Sequence, residues 1–392
     1  MKLKLTILLL LLFTSLINAQ KKQQLSPEAE ISVLTIGPGK SLNDSFGHNA
    51  FRIRDNANLI DLVFNYGVYD FNTPNFYTKF AQGKLNYKLG VNYYNDFFES
   101  YIAQNRTIKE QLLNLSSSEK QQLFNFLLNN ARPENKYYLY DFFYDNCATR
   151  IKDVINNGLN DHLMFSEPDG FTPKTFRQLI HSHLNQNSWG SLGIDVALGS
   201  VIDKRATAEE HMFIPKFIYT FFETATFSNS GKPLVKQSRI LFKKREKPIS
   251  SSFLTSPLMI FGFIGLILLI ITYRDYKNGK QSKWLDIVLF AITGLIGVFI
   301  LLLWFATDHS ATANNYNLLW AFPINLFVIS QLYKNSAKKW FIKYLKFLVI
   351  LFCLMTLHWI IGIQVFAIGL IPLLVALLVR YIFLVNYFSK KV

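Results

Sequence analysis

The chain has 392 residues, 50% of them hydrophobic and 16% aromatic, with a formal net charge of +15, a length that suits about two or three domains. Apolar runs dominate from Pro257 onward, while the part before it has a globular composition rich in Asn, Tyr and Phe, so a boundary falls near residue 250. The positive charge does not point to nucleic acid: many Lys and Arg residues cluster beside the apolar runs, where membrane topology alone places them, and neither an RNA-binding signature nor a continuous basic helix is present.

Met1 to Gln20 carries two early lysines, the apolar run Leu5 to Phe13 and a small-residue ending, Ile17-Asn18-Ala19. This is a signal-peptide plan over residues 1–19, the alternative being an uncleaved N-terminal anchor. An exported domain over residues 20–250 then follows. Glu30 to Ile36 reads as a buried strand, ended by Gly37-Pro38-Gly39. His48 to Arg54 and Leu59 to Asn65 alternate as paired strands around the turn-forming run Asp55-Asn56-Ala57-Asn58. A four-residue loop there sets Arg54 against Leu59, Ile53 against Ile60, Arg52 against Asp61 and Phe51 against Leu62, all but the first favourable cross-strand pairs, with His48 opposite Asn65. Short helices are expected over Thr73 to Ala81 and Tyr94 to Ala103, and a strand over Arg106 to Leu115. Ser116 to Asn130 is a helix opened by a capping box of Ser116 and Glu119. Another helix begins near Cys147, because Ala148, Ile151, Val154 and Ile155 recur at helical spacing. Beyond Thr172 the pattern weakens to helix and loop.

Residues 251–392 form the membrane domain, an all-α bundle of about five spans: Pro257–Tyr273, Leu285–Phe305, Asn317–Tyr333, Phe347–Gly362 and Val365–Tyr387. The connecting loops alternate in charge. Arg274 to Lys283 and Lys334 to Lys346 are basic, Ala306 to Tyr316 has no Lys or Arg, Ile363-Gln364 is uncharged, and the tail ends Lys390-Lys391. Basic loops lie inside, so the domain before Pro257 lies outside, as a signal peptide requires. Arg380, inside the last span, either snorkels inward or makes an interior polar contact.

The only cysteines are Cys147, in the exported part, and Cys353, in an apolar run. A thiol without a partner in an exported domain is oxidised unless it is protected or used. Cys147 sits where a loop enters a helix, and a helix N-terminus lowers a thiol pKa and offers N–H groups to an oxyanion. His48 follows Gly47 at a strand start and is the candidate base, with Asn65 opposite it to fix the imidazole tautomer. The bland alternatives are a core cysteine, a packing histidine and a turn-forming Asn65. His181 and His183 are two residues apart and diverge on a helix, which argues against a metal site with His162 and His211. The isolated glycines form no phosphate loop, so no metal or cofactor is expected.

Three motifs, Ser45-Phe46-Gly47-His48, Asn65-Tyr66-Gly67 and Tyr140-Asp141-Phe142 running into Asp145-Asn146-Cys147-Ala148-Thr149-Arg150, resemble the Lnb-type family of integral-membrane lipoprotein N-acyltransferases. Further matches are Asn75-Phe76-Tyr77 with Phe80 and Gly83, Met212-Phe213-Ile214-Pro215, and Asp308-His309 with Asn315-Tyr316-Asn317-Leu318-Leu319-Trp320, so the resemblance covers nearly the whole chain after the signal. The His-before-Cys order also resembles the permuted papain-like folds of the lecithin–retinol acyltransferase class. The fold class implied is α+β: a permuted papain-like periplasmic domain followed by the helical bundle. The resemblance implies that Cys147 takes an acyl chain from a phospholipid as a thioester and passes it to the N-terminal amine of a diacylated lipoprotein, with His48 and Asn65 as its catalytic partners. Ser45, Tyr66 and Asn146 are then candidates for substrate binding. Asp308 and His309, in the outer loop, either contact a headgroup or the acceptor or simply cap two spans. The implied setting is the inner membrane, with the bilayer, phospholipid and lipoprotein as partners and the C-terminus in the cytoplasm. Two other readings stay open: a periplasmic cysteine hydrolase acting on peptidoglycan peptides or lipid esters, and a non-catalytic membrane scaffold.

Overall fold

The computed structural model describes residues 23–159, 162–246, 253–334 and 336–391; the signal segment lies outside them. Nine strands are present among the described residues: β1 (Glu30–Ile36), β2 (His48–Asp55), β3 (Ile60–Val68), β4 (Asn86–Tyr93), β5 (Ile108–Leu113), β6 (Tyr137–Leu139), β7 (Leu163–Met164), β8 (Thr226–Phe227) and β9 (Val235–Phe242). The exported part adds helices α1 (Phe76–Ala81), α2 (Tyr94–Ala103), α3 (Ser117–Asn130), α4 (Thr149–Gly158), α5 (Phe176–His181), α6 (Trp189–Ala197) and α7 (Pro215–Thr224). The apolar part adds α8 (Pro257–Asn278), α9 (Lys283–Phe305), α10 (Asn325–Leu332), α11 (Lys339–Ile360) and α12 (Ile371–Ser389).

A seven-stranded antiparallel sheet in the order β6-β4-β3-β2-β1-β5-β9 forms the frame. The interior strand β1 is buried on both faces, which is why Ile31, Val33, Leu34 and Ile36 read as a nearly unbroken apolar run. On one face Phe51, Ile53 and Phe64 pack with Leu123, Phe124 and Leu127 of α3 and Ile151, Val154 and Ile155 of α4. On the other, Leu34, Ile36, Ala50 and Val63 lie under Phe97, Tyr94 and Tyr101 of α2. The capping box at Ser116 and Glu119 is formed in full.

The hairpin register differs from the expected one by two residues: Phe51 faces Phe64, Ile53 faces Leu62 and Arg54 faces Asp61. The cause is local. Asp55 stays in the strand because its carboxylate accepts from the N–H and hydroxyl of Ser26 and from the side-chain amide of Asn58, at 2.7, 2.8 and 2.7 Å. The loop moves one residue on, leaving Leu59 with a φ of 56°. A two-residue shift keeps every side chain on its face, and Arg52 still reaches Asp61 diagonally in a bidentate pair of 2.7 Å bonds.

Among the described residues four helices, α8, α9, α11 and α12 with the turn before it, are long and apolar enough to cross a membrane. The third expected span is not one continuous helix: it is a 3-10 turn at Tyr316–Leu319 followed by the eight-residue α10. It nonetheless runs the full height of α9. At one end Asn315 bonds the exported α6, and at the other the Tyr333 carbonyl accepts from Lys283 at the start of α9. The irregular backbone fits because α9 carries Gly297 beside it; a Cβ there would lie 2.1 Å from the Ala321 carbonyl oxygen. In an apolar surround the polar groups need protein partners. Asn325 accordingly donates to Thr293 at 2.8 Å and accepts from the Tyr344 hydroxyl at 2.5 Å.

Arg380 makes the interior contact rather than snorkelling. Its guanidinium is 0% exposed and forms a bidentate pair with Asp286 (2.6 and 3.0 Å) and a 2.7 Å bond with Asp275. These carboxylates lie beside the basic loop that joins α8 to α9, so the triad ties α8, α9 and α12 together. Removing one carboxylate leaves a buried cation half-compensated. Asp286→Ala is expected to destabilise the detergent-solubilised protein by on the order of 3 kcal/mol, read as a lower thermal unfolding midpoint. An unchanged midpoint would show that the triad does not hold these helices.

Candidate active site

Cys147 lies two residues before α4, and Asn146 fixes the turn that opens the helix. The Asn146 side-chain oxygen accepts from the N–H groups of Ala148 and Thr149 at 2.7 and 3.0 Å, and the Thr149 hydroxyl accepts from the Asn146 N–H at 2.8 Å. The Asn146 amide donates to the carbonyls of Phe142 and Phe213 at 2.7 and 2.8 Å. Every polar atom of this side chain is therefore used in holding backbone. The N–H groups of Ala148 and Thr149 at this helix start are taken by Asn146; that of Cys147 faces its own sulfur and is left for an oxyanion once the sulfur loses its charge. The rest of the motif is scaffold as well. Asp141 accepts from the N–H groups of Phe143 and Tyr144, Asp145 pairs with Arg150, and Arg150 lies 4.3 Å over the Tyr138 ring.

The second half of the site is made by strands that part. Pairing of β2 with β3 ends at Phe51 and Phe64, and β3 carries an irregularity between Asn65 and Val68. Beyond that point Cys147 enters the wedge. Gly67 lies against it: a Cβ there would be in contact, 3.4 Å from the Cys147 Cβ and 4.0 Å from the His48 Cε1, and its φ of 87° is one that residues other than glycine rarely adopt. A bulge re-aims neighbouring side chains, and here the Asn65 oxygen lies 2.5 Å from the His48 Nε2. With that nitrogen donating to Asn65, Nδ1 is the one left for the thiol, with which His48 is hydrogen-bonded. Tyr101 stacks on the imidazole with ring centroids 6.3 Å apart, and Arg106 lies 4.8 Å over the outer side of Tyr101.

The electrostatics favour an ion pair. Burial pushes the Cys147 thiol up, but the charge and hydrogen bond of His48 and the N–H groups of Asn49 and Cys147 outweigh it and hold the thiol below its ordinary value. Burial pushes His48 down, yet the charge and hydrogen bond of Cys147, together with Asn65, lift it above its ordinary value against the opposing charge of Arg106. The phenol of Tyr101 is pushed up to about 12, chiefly by burial, so it stays neutral beside the pair. Such a pair is a nucleophile with a proton donor already attached.

The structure thus brings Cys147, His48 and Asn65 together. The polar groups of the other expected site residues are engaged in bonds within the fold. The Ser45 hydroxyl donates to the Ser41 carbonyl at 2.8 Å, and the Tyr66 hydroxyl accepts from Asn130 at 2.9 Å. Asp308 gives its N–H to the Gln82 carbonyl, and the His309 Nε2 bonds the Phe80 carbonyl, both at 2.9 Å, so this loop fastens the end of α1. His181 pairs with Asp195, and His211 Nδ1 donates to the Thr207 carbonyl. Sequence reasoning missed Tyr101, Arg106 and the Asn49 N–H. The first two carry no motif, and a backbone group leaves no trace in composition.

Two comparisons bear on this geometry. A model of the Lnb N-terminal periplasmic domain matches residues 18–182, and a model of the Lnb transmembrane domain matches residues 248–391. The chain belongs to the Lnb-type family. It is a membrane protein with a periplasmic N-terminal part, and the Cys147–His48 site lies within the periplasmic match. No curated protein and no solved structure matches the chain.

The ion pair predicts a displaced pH profile. In a Cys353→Ser background, alkylation of Cys147 by iodoacetamide should persist below the ordinary thiol midpoint of about 8.5, because the lowered pKa keeps thiolate present there. His48→Ala should move the midpoint upward, since burial then acts unopposed by the imidazolium. A wild-type midpoint at or above the ordinary value would count against the pair.

Proposed function

We propose that this protein is a thiol-dependent lipoprotein N-acyltransferase of the bacterial inner membrane, with its C-terminus in the cytoplasm. The observation that supports it most is the buried Cys147–His48–Asn65 constellation held on a domain fused to membrane-spanning helices. In this reading the Cys147 thiolate attacks an ester carbonyl of a phospholipid. The developing oxyanion meets the Cys147 N–H, and the His48 imidazolium protonates the departing glycerol oxygen, leaving a thioester and a lysophospholipid. The N-terminal α-amine of a diacylated lipoprotein then attacks the thioester. Neutral His48 takes the proton that the amine loses, the amide forms and the thiolate is regenerated. Asn65 keeps the imidazole in the tautomer that presents Nδ1 to sulfur.

Both substrates are anchored in the same leaflet, so tethering the site to a membrane domain raises their effective concentration. A thioester survives only where water is kept out, and Cys147 at 8% exposure is suited to that. The same chemistry with water as acceptor is the hydrolase alternative, and the acceptor distinguishes the two.

The test is intact mass after incubation with phospholipid. Wild type should gain a fatty-acyl increment that a diacylated lipopeptide discharges, and Cys147→Ala should gain none. An increment discharged equally fast without lipopeptide would identify a hydrolase, and no increment on wild type would refute the thioester. His48→Ala should slow acylation by about 100-fold or more, as expected for loss of a general acid–base group. Asn65→Ala, which removes an orienting group only, should cost less in the same assay; an equal loss would make Asn65 more than an orienter.

A further inference from the structure

The described surface of the periplasmic part carries an aromatic patch that the site chemistry leaves unused. Phe71, Tyr77 and Phe80 are 63%, 77% and 55% exposed, on and just before α1. Water-facing rings in such a cluster mark a contact surface, and their position says with what. The Phe80 and Gln82 carbonyls are bonded to His309 and Asp308, only a few residues past Phe305, where the apolar helix α9 ends. Trp304 and Phe305 stack there with centroids 4.8 Å apart. The patch is therefore pinned at the level where the spans leave the apolar layer, and lysines border it at Lys79 and Lys84. Exposed aromatics among lysines at that height are the composition of a bilayer interface.

Behind the patch the rings continue inward. Phe71 touches Phe76 (4.8 Å), Phe76 neighbours Tyr69 (6.0 Å), Tyr69 meets Tyr87 (5.5 Å), and Tyr87 stacks on Tyr140 at 4.1 Å. Tyr140 begins the loop that ends in Cys147, and its phenol is pushed up first by burial and then by the charge of the thiolate.

We propose that Phe71, Tyr77 and Phe80 form a shelf immersed in the outer leaflet of the bilayer, and that the rings behind it guide a lipid acyl chain to Cys147. The shelf stands by itself; the guiding role rests on the acyl-transfer reading. A wall of aromatic faces suits a fatty chain, because ring faces bury methylenes over a large apolar area.

The test uses the full-length Cys353→Ser protein in phospholipid vesicles and two alkylating probes: a hexadecyl-chain maleimide carried in the bilayer and N-methylmaleimide in water. The Phe71→Ser/Tyr77→Ser/Phe80→Ser variant should react with the lipid-borne probe about tenfold more slowly, the equivalent of roughly 1.4 kcal/mol, while its reaction with the soluble probe is unchanged. Unchanged reaction with both probes overturns the proposal. Should the triple variant lose both reactions, Tyr77→Ser alone decides, since that ring is mostly in solvent and folding does not need it. A selective slowing of the lipid-borne probe by about threefold supports the shelf, and no selective slowing overturns it. A wild type that reacts with the lipid-borne maleimide yet takes no acyl group from phospholipid would refute the acyltransferase reading and leave the shelf standing.

Discussion

The site depends on a charge pair kept where water would not keep it. A thiolate and an imidazolium buried side by side each suffer from desolvation, and only their mutual attraction and a few fixed hydrogen bonds reverse that penalty. The protein supplies those bonds from backbone and from one amide: the N–H groups of Asn49 and Cys147 toward sulfur, and Asn65 toward the far ring nitrogen. All three need the wedge that opens where β2 and β3 stop pairing. A regular ladder continued to His48 would leave no room for the Cys147 loop. The irregular end of the hairpin is what the chemistry requires of the sheet.

The loop that carries Cys147 is held from several distant parts of the chain. Asn146 reaches the Phe213 carbonyl, while Phe142 packs against Phe46 at 5.0 Å and Phe213 at 5.7 Å. The segments around residues 46, 142 and 213 therefore meet behind the loop, and their aromatic side chains help fix its position. Motif residues that read as substrate contacts are used here as framing. A reactive group needs its support fixed to within fractions of an ångström, and that support draws on as many particular residues as the reaction itself.

Much of this was legible in the sequence, and what was not failed for identifiable reasons. Glu30–Ile36, Tyr94–Ala103 and the Ser116 capping box are local signals, and they appear at those residues. The pairing register was displaced by two because hydrophobic patterning sees only which face a side chain takes, and a two-residue slip leaves faces unchanged. The side-chain bonds of Asp55 that set the loop join it to Ser26, far back in the chain. Strand β9 was hidden in the stretch that read only as helix and loop, because an edge strand carries charge: Lys236 and Arg239 interrupt its apolar pattern, whereas Arg239 bonds Glu110 at 2.7 Å. Hydropathy likewise reports apolar length and not backbone continuity, so the broken third segment read as an ordinary span. The proximity of Cys147, His48 and Asn65 was legible as chemistry, but the parting of β2 and β3 that permits it was not.

The outer-loop motif finds its physical meaning at the seam between the two parts. Helix α6 ends with carbonyls that have no partner of their own, and the membrane part supplies the donors. Asn315 bonds the carbonyls of Val196 and Ala197, Asn317 bonds that of Asp195, and Trp320 donates to the Asn317 oxygen at 2.8 Å. The same stretch begins the broken segment that packs against α9. A continuous helix through residues 316–333 would aim the Asn317 side chain elsewhere, and it is this side-chain amide, with that of Asn315, that meets the α6 carbonyls. The interruption of that segment and the docking of the periplasmic part are thus one structural fact. Together with the Asp308–His309 bonds to α1, the seam holds the thiol at a fixed height above the ends of the spans. That is what a reaction between two lipid-anchored molecules would demand of its enzyme: neither substrate can leave the bilayer surface to meet a nucleophile, so the nucleophile must be held where they are.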